Sequence, residues 1–389
     1  MKDRIGALPV TVLGSTGSVG RQTMDVARMH GLSVEGICGS KNIKLLEEQI
    51  RDFSPRYCAV ENEDAAKLLK IAVADTDTQI LSGREGILYL ASEGKSKVVL
   101  NSIIGVAGLE PTLAAIRAGK NLALANKETL VTAGEFVMRE AKEHGVSILP
   151  VDSEHCAIFQ CLNGEKKERV KKLLLTCSGG AFYGRDRASL SSVTREEALA
   201  HPTWKMGAKI TVDCATLMNK GLELIEAVRL FDVRPDQVEV LIHRESIVHS
   251  MVEYCDNAVI AQLSVPDMRL CIQYALTYPD RMPSPLRELD LFSVGRLTFA
   301  RPDEETFSLL PLAREAVTDG GIRTAVLNGA NEAAVAMFLD GKLGFTEIFD
   351  LVAEVVRETA NKPDPTLEEI MQADADARTE AYRRAGVRK

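Results

Sequence analysis

The segment VLGSTGSVG, residues 12–20, sets glycines at positions 14, 17 and 20 between an apolar, β-branched run and an amphipathic stretch. Glycine there permits a tight turn and a close backbone approach. A helix opening directly after it offers unpaired N–H groups to a pyrophosphate. Such a turn belongs at the carboxyl end of a strand in an open α/β sheet, and its surroundings agree. PVTVLG reads as a strand, SVGRQTMDVARMHG as a helix closed by Gly31, LSVEGICG as a second strand, and NIKLLEEQIRDF as the next helix. YCAVE and SKVVLNSI follow as strands, then GLEPTLAAIRAG as a helix with Pro111 in its first turn, and NLALA as a strand. Strand and helix alternating at this spacing predict a doubly wound parallel sheet over residues 1–150.

The pattern then changes. From 151 to 278 the runs RVKKLLLTCS, QVEVLIH, SIVHSMVEY and AVIAQLS follow each other more closely, which predicts an α+β domain with an antiparallel or mixed sheet. Residues 279–305 are rich in proline and charge and read as an extended linker. Four helical stretches with short connections occupy 306–389 and predict a small four-helix bundle. A chain of 389 residues accommodates three such parts.

Composition narrows the function. With 47 basic against 55 acidic residues the net charge is -8, which argues against a nucleic-acid or acidic-membrane surface while leaving room for a local phosphate pocket. No apolar stretch reaches membrane-spanning length, and the N-terminus enters a strand too soon for a targeting segment. Eight cysteines without a CxxC pair read as reduced thiols of a cytoplasmic protein.

The first turn makes Thr16, Gly17, Ser18 and Val19 candidate cofactor contacts. The second strand specifies which cofactor. A site for an unphosphorylated ribose carries an acid at that strand's end, but here Ser40, Lys41 and Asn42 stand there. A cation and two small donors suit a 2′-phosphate, so NADPH is the expected dinucleotide. Asn126, Lys127 and Glu128 follow the strand NLALA, at the sheet edge where ligands bind in doubly wound folds.

Carboxylates raise a second possibility. In VDSEHCAIFQ, Asp152 and Glu154 would share one face of an extended segment, because side chains alternate there with period two. They are either solvated charges or ligands of a hard divalent cation. Glu223 offers a third carboxylate, and on a helix Asn219 and Lys220 would share its face.

Taken in order, GSTGSVG, PTLAAIRAGK, LANKETLV, PVDSEHCAIFQ, HPTWKMGAKITVDCATLMNKGLE, VPDMR and the final DADAR helix resemble the 1-deoxy-D-xylulose 5-phosphate reductoisomerase family over essentially the whole chain. The resemblance implies a homodimeric enzyme of non-mevalonate isoprenoid biosynthesis with a Rossmann-like NADPH domain, a central catalytic domain and a C-terminal bundle. It implies conversion of 1-deoxy-D-xylulose 5-phosphate to 2-C-methyl-D-erythritol 4-phosphate with NADPH and Mn2+, Mg2+ or Co2+, and inhibition by fosmidomycin-type compounds. By the same resemblance Asp152, Glu154 and Glu223 are the metal ligands. Lys127, Ser153, Glu154, Ser178, His201, Cys214, Asn219, Lys220 and Glu223 contact substrate, Lys127, Glu154 and His201 being catalytic. Asn126, Glu128 and Gly207 join the cofactor contacts, and HPTWKMG forms a lid in which Trp204 covers the substrate. The chain departs from the family pattern at Cys214, where serine is usual, at Arg244 and Glu245 in HRES, and after the arginine of PDMR. Those departures leave an alternative, an NADPH- and metal-dependent reductase of another phosphorylated hydroxyketone.

Overall fold

The computed structural model describes residues 9–204 and 206–387; the segment MKDRIGAL and Lys205 of HPTWKMG lie outside them. Two compact units form. Among the described residues, one comprises residues up to 129, 135–156 and 267–286, the other residues 130–134, those between 157 and 266, and those from 287 on.

The first unit is built on seven strands, β1 (Val10–Leu13), β2 (Val34–Gly39), β3 (Tyr57–Val60), β4 (Gln79–Ser82), β5 (Val98–Asn101), β6 (Asn121–Leu124) and β7 (Ile148–Pro150). They run parallel in the order β4-β3-β2-β1-β5-β6-β7, the doubly wound arrangement expected. The order reverses beside β1, which places the glycine turn at the switch point where such sheets bind ligands. Local chemistry sets the helix ends. Gly31 closes the helix Ser18–His30 in the left-handed region, at φ 61°. The side chains of Asn42, Asn62 and Asn126 cap the helices that follow them by accepting the N–H three residues on. Strand β4 and the helices Glu63–Ala72 and Gly83–Ser92 were not anticipated from the sequence.

This unit includes a chain segment from much later in the sequence. The helix Met268–Thr277 packs against the helix Ser18–His30 and against β6 and β7. A hydrogen bond of 2.9 Å between His30 Nε2 and Gln273 Oε1 fixes the contact. The spans expected from the sequence therefore cut across this partition: residues 267–278 cluster with the N-terminal sheet.

The second unit holds a mixed sheet of β8 (Val170–Cys177), β9 (Val238–Ile242), β10 (Val248–Tyr254) and β11 (Val259–Leu263), ordered β11-β10-β8-β9. Only β8 and β9 are parallel, so their carboxyl ends, Cys177 and Ile242, lie opposite each other and launch adjacent loops. The four late helices are Leu309–Asp319, Arg323–Leu339, Phe345–Glu358 and Leu367–Arg384. They share one apolar core with the sheet, including Leu175, Leu222, Leu310, Phe345 and Val352. Between 279 and 305 the chain is irregular apart from the short helix Leu291–Val294.

The helix Arg323–Leu339 is buried on nearly every side, as a helix apolar all round must be. At Gly329 it approaches the helix Leu367–Arg384 so closely that an added Cβ would lie 2.2 Å from the Asp374 carbonyl oxygen. Beside that contact Asp374, 2% exposed, accepts from Asn328 Nδ2 at 2.8 Å and from Arg378 Nε at 2.8 Å, and Arg378 also pairs with Glu332. Removing Asp374 leaves Arg378 with Glu332 alone and deprives the buried Asn328 amide of its acceptor. Asp374→Ala is expected to lower unfolding free energy by about 2 kcal/mol, measured by denaturant titration.

Candidate functional site

In the first unit the glycine turn after β1 is tight and closely packed. Gly14 sits at φ 83°, and an added Cβ there would meet the Ser102 backbone at 3.0 Å. An added Cβ at Gly20 would lie 2.1 Å from the Gly14 carbonyl oxygen, so the turn folds onto the helix only with glycine in place. Gly17 precedes the helix without a side-chain cap, leaving the first-turn N–H groups at Ser18 and Val19 to an external acceptor. Gly39 at the end of β2 lies against the Thr16 side chain, 3.0 Å from where its Cβ would be. Thr16 thus adjoins the strand end from which the Ser40–Asn42 stretch departs. Lys41 is exposed, whereas the Asn42 side chain is engaged by the Leu45 N–H at 3.2 Å.

The Asn126 amide is engaged as well. It donates to the Ile103 carbonyl and, at 2.8 Å, to that of Gly105, and it accepts from Thr129 N and Oγ1 at 2.8 and 2.5 Å. Asn126 thus ties the loop after β5 to the helix Lys127–Glu143, and Lys127 and Glu128 open that helix in buried positions. Lys127 Nζ pairs with Asp152 Oδ2 at 2.8 Å.

The segment after β7 is not extended. The strand ends at Pro150 and a helix runs from Ser153 to Leu162. The period-two argument for Asp152 and Glu154 is therefore incorrect, and the reason is capping. Asp152 Oδ1 accepts the Glu154 N–H at 3.3 Å, and its carbonyl accepts from Cys156 N at 2.8 Å, so the aspartate caps the new helix. Both carboxylates sit at the positive end of a helix dipole. Ser153 Oγ donates to Glu154 Oε2 at 2.5 Å. His155, fully buried and unforeseen from the sequence, places Nδ1 3.2 Å from Asp152 Oδ1. Burial opposes ionisation of Asp152, but the Lys127 ammonium and the His155 contact outweigh it and hold the carboxyl well below its ordinary range.

In the second unit the helix Met218–Phe231 brings its three polar residues together as the spacing predicted. Asn219 Nδ2 donates to Glu223 Oε1 at 2.5 Å and Lys220 Nζ to Oε2, with Lys220 and Glu223 each 2% exposed. Cys214 is half-buried on the preceding helix, Ala208–Ala215. Gly207 caps that helix at the surface, where its carbonyl accepts from Thr211.

Ser178 Oγ lies 3.1 Å from His201 Nε2. His201 Nδ1 accepts the N–H groups of Thr203 and Trp204 at 3.2 and 2.9 Å, so the neutral ring carries its proton on Nε2 and donates it to Ser178. Burial, assisted by the charge of Arg244, lowers the pKa of His201. Trp204 is half-buried, its ring centroid 6.4 Å from that of His249. Burial pushes His249 down to about 4, so it is neutral at pH 7. His249 and Arg244 are further residues here that sequence reasoning did not place in the site.

Residues 10–134 match the family model described as 1-deoxy-D-xylulose 5-phosphate reductoisomerase, and residues 148–231 and 263–380 match two models of C-terminal domains of that enzyme. A curated 1-deoxy-D-xylulose 5-phosphate reductoisomerase from Acetivibrio thermocellus is 52% identical over 369 residues, covering 95% of this chain and 97% of the relative. This chain belongs to the 1-deoxy-D-xylulose 5-phosphate reductoisomerase family. A second reductoisomerase, from Caldanaerobacter subterraneus, is 50% identical over 376 residues, covering 96% of this chain and 98% of the relative. Among solved structures, the reductoisomerase from Zymomonas mobilis in complex with NADPH superimposes with a TM-score of 0.92 at 40% identity, covering 97% of this chain and 99% of that one. A reductoisomerase in complex with NADPH, fosmidomycin and magnesium gives the same TM-score and identity, covering 97% and 98%. The reductoisomerase fold thus extends over both units and the late helices.

Proposed function

We propose that this chain converts 1-deoxy-D-xylulose 5-phosphate to 2-C-methyl-D-erythritol 4-phosphate, an NADPH- and divalent-metal-dependent rearrangement and reduction in non-mevalonate isoprenoid biosynthesis. Family membership over nearly the whole chain carries this reading. The residues fit both cofactors. Asp152, Glu154 and Glu223 offer hard carboxylate oxygens, each beside a buried lysine or serine and not in bulk water. They are the residues to hold Mg2+, Mn2+ or Co2+. When bound, the cation supplies Lewis-acid polarisation of the substrate's ketone and hydroxyl oxygens. The turn Thr16–Val19, with Ser40, Lys41 and Asn42, receives NADPH, joined by Asn126, Glu128 and Gly207.

The chain's own groups do the rest. Lys127, held against Asp152, places a cation at the substrate hydroxyls, which Ser153 also contacts. Ser178, Asn219, Lys220 and Cys214 receive the phosphate. His201 donates from Nε2, and the HPTWKMG segment excludes water while Trp204 covers the substrate. The protein works in the cytoplasm as a homodimer. Among the described residues the cysteines form no disulfide, which suits a reducing compartment. Strand β11 is an outer strand with exposed Val259 and Ile260, which suits pairing with a second copy. No helix among the described residues is long and apolar enough to cross a membrane.

NADPH oxidation followed at 340 nm tests the reading. Turnover is expected with 1-deoxy-D-xylulose 5-phosphate, should vanish with chelator, and should return with Mn2+ or Mg2+. Fosmidomycin, bound by the related structure with magnesium, is expected to inhibit. Chelator-insensitive turnover, or none with this substrate, would refute it.

A further inference from the structure

The loop after β8, Ser178–Gly179–Gly180, depends on a cation that touches none of the residues assigned to the substrate except through the backbone. Gly179 and Gly180 have φ of 81° and 69°, so the loop uses two successive left-handed residues. An added Cβ at Gly180 would lie 2.3 Å from the Cys214 carbonyl oxygen, which presses the loop onto the helix end that carries Cys214. Arg244 stands in the adjacent loop, two residues beyond β9. Its Nη1 donates to the Ser178 carbonyl at 2.7 Å and the Gly180 carbonyl at 3.0 Å, and its guanidinium lies 5.1 Å from the Tyr183 ring centroid.

These contacts fix the direction of the loop. A trans peptide points its carbonyl and the next N–H in opposite directions. With the Ser178 and Gly180 carbonyls aimed at Arg244, the Gly179 and Ala181 N–H groups face away from it. The Gly180 N–H turns back to Ser178 Oγ at 3.3 Å, which steadies the hydroxyl that His201 also contacts. Backbone N–H groups presented by a glycine turn, here those of Gly179 and Ala181, form an anion-binding concavity.

We propose that Arg244 is a positioning residue for the substrate phosphate: by clamping the two carbonyls it holds the Ser178–Ala181 backbone with its N–H donors toward the anion. This rests on the assignment of Ser178 to the phosphate site made above. Losing the clamp removes charge-assisted hydrogen bonds on one side of the loop and lets its donors reorient.

The test uses the full-length protein and its Arg244→Ala and Arg244→Lys variants, with two readouts. Steady-state kinetics give KM for substrate and for NADPH. Quenching of Trp204, the only tryptophan, gives the dissociation constant of inorganic phosphate without turnover. For Arg244→Ala the substrate KM and the phosphate dissociation constant are expected to rise about tenfold, the size of one lost charge-assisted hydrogen bond. The NADPH KM should stay within about twofold, because that site lies outside this loop. Arg244→Lys should recover part of the loss, one ammonium replacing a planar fork. Unchanged phosphate affinity in Arg244→Ala overturns the proposal, as does an equal loss for NADPH. Should the alanine variant not fold, wild-type phosphate affinity in Arg244→Lys overturns it. Failure of the unaltered chain to turn over its substrate would sink the functional reading, whereas the phosphate ratio judges Arg244 alone.

Discussion

Replacing Glu154 by glutamine is expected to reduce kcat by about 100-fold or more with 1-deoxy-D-xylulose 5-phosphate at saturating NADPH, equivalent to about 3 kcal/mol of lost stabilisation. The change preserves size and leaves the Ser153 hydroxyl with an oxygen to donate to. What it removes is one negative charge from a helix N-terminus that holds two. A neutral amide is a weak ligand for a hard cation, so the metal concentration giving half-maximal activity should rise in parallel. The NADPH dissociation constant should change far less than the metal dependence, because glutamine keeps the size of the side chain and the proposed pyrophosphate site is the glycine turn after β1. Full metal-dependent activity in the variant would refute the ligand assignment, and a matching loss of NADPH affinity would point to misfolding.

The second large effect lies at that glycine turn. In Gly20→Ala the new methyl would stand 2.1 Å from the Gly14 carbonyl oxygen and 2.6 Å from the Ser15 Cα, both backbone atoms. A backbone clash is not relieved by a rotamer change, so the turn must move away from its helix. The expected cost is about 2 kcal/mol or more of stability. Displacement of the first-turn N–H groups adds a rise of about tenfold or more in the NADPH dissociation constant. Calorimetric melting and fluorescence titration with NADPH read the two separately. An unchanged NADPH affinity would mean that the turn does not hold the pyrophosphate.

The parts legible in the sequence were those whose chemistry is local. Gly14, Gly17 and Gly20 have few uses together, and a glycine at a positive φ or against a neighbouring backbone announces itself by type. Asn219, Lys220 and Glu223 lie within one helical turn, so their shared face follows from the 3.6-residue period alone. The segment carrying Asp152 and Glu154 was misread as extended because two spacings compete: residues two apart share a face in a strand, while an aspartate followed by an acid also opens a helix. The sequence did carry the signal, an N-cap residue with a glutamate in the first turn. Strand β4 was missed since an outer strand reading QILS lacks alternation. Arg244 stood out in the sequence only as a departure from the family pattern, and its contacts could not be read there, because its partners are backbone carbonyls sixty-four and sixty-six positions away.

The return of the chain to its first unit at Asp267–Leu286 bears on how the protein can be made and divided. During synthesis the N-terminal sheet emerges early, yet the helix that covers β6 and β7 is more than a hundred residues behind. Until it arrives, the part of β6 and β7 that it packs against lacks that cover, and a nascent chain stalled before 267 would present it to other chains. A gene fragment ending at residue 150 carries the same defect. To be expressed alone the first unit needs residues 267–286 spliced on through a linker, and neither unit can be exchanged between relatives as one contiguous cassette.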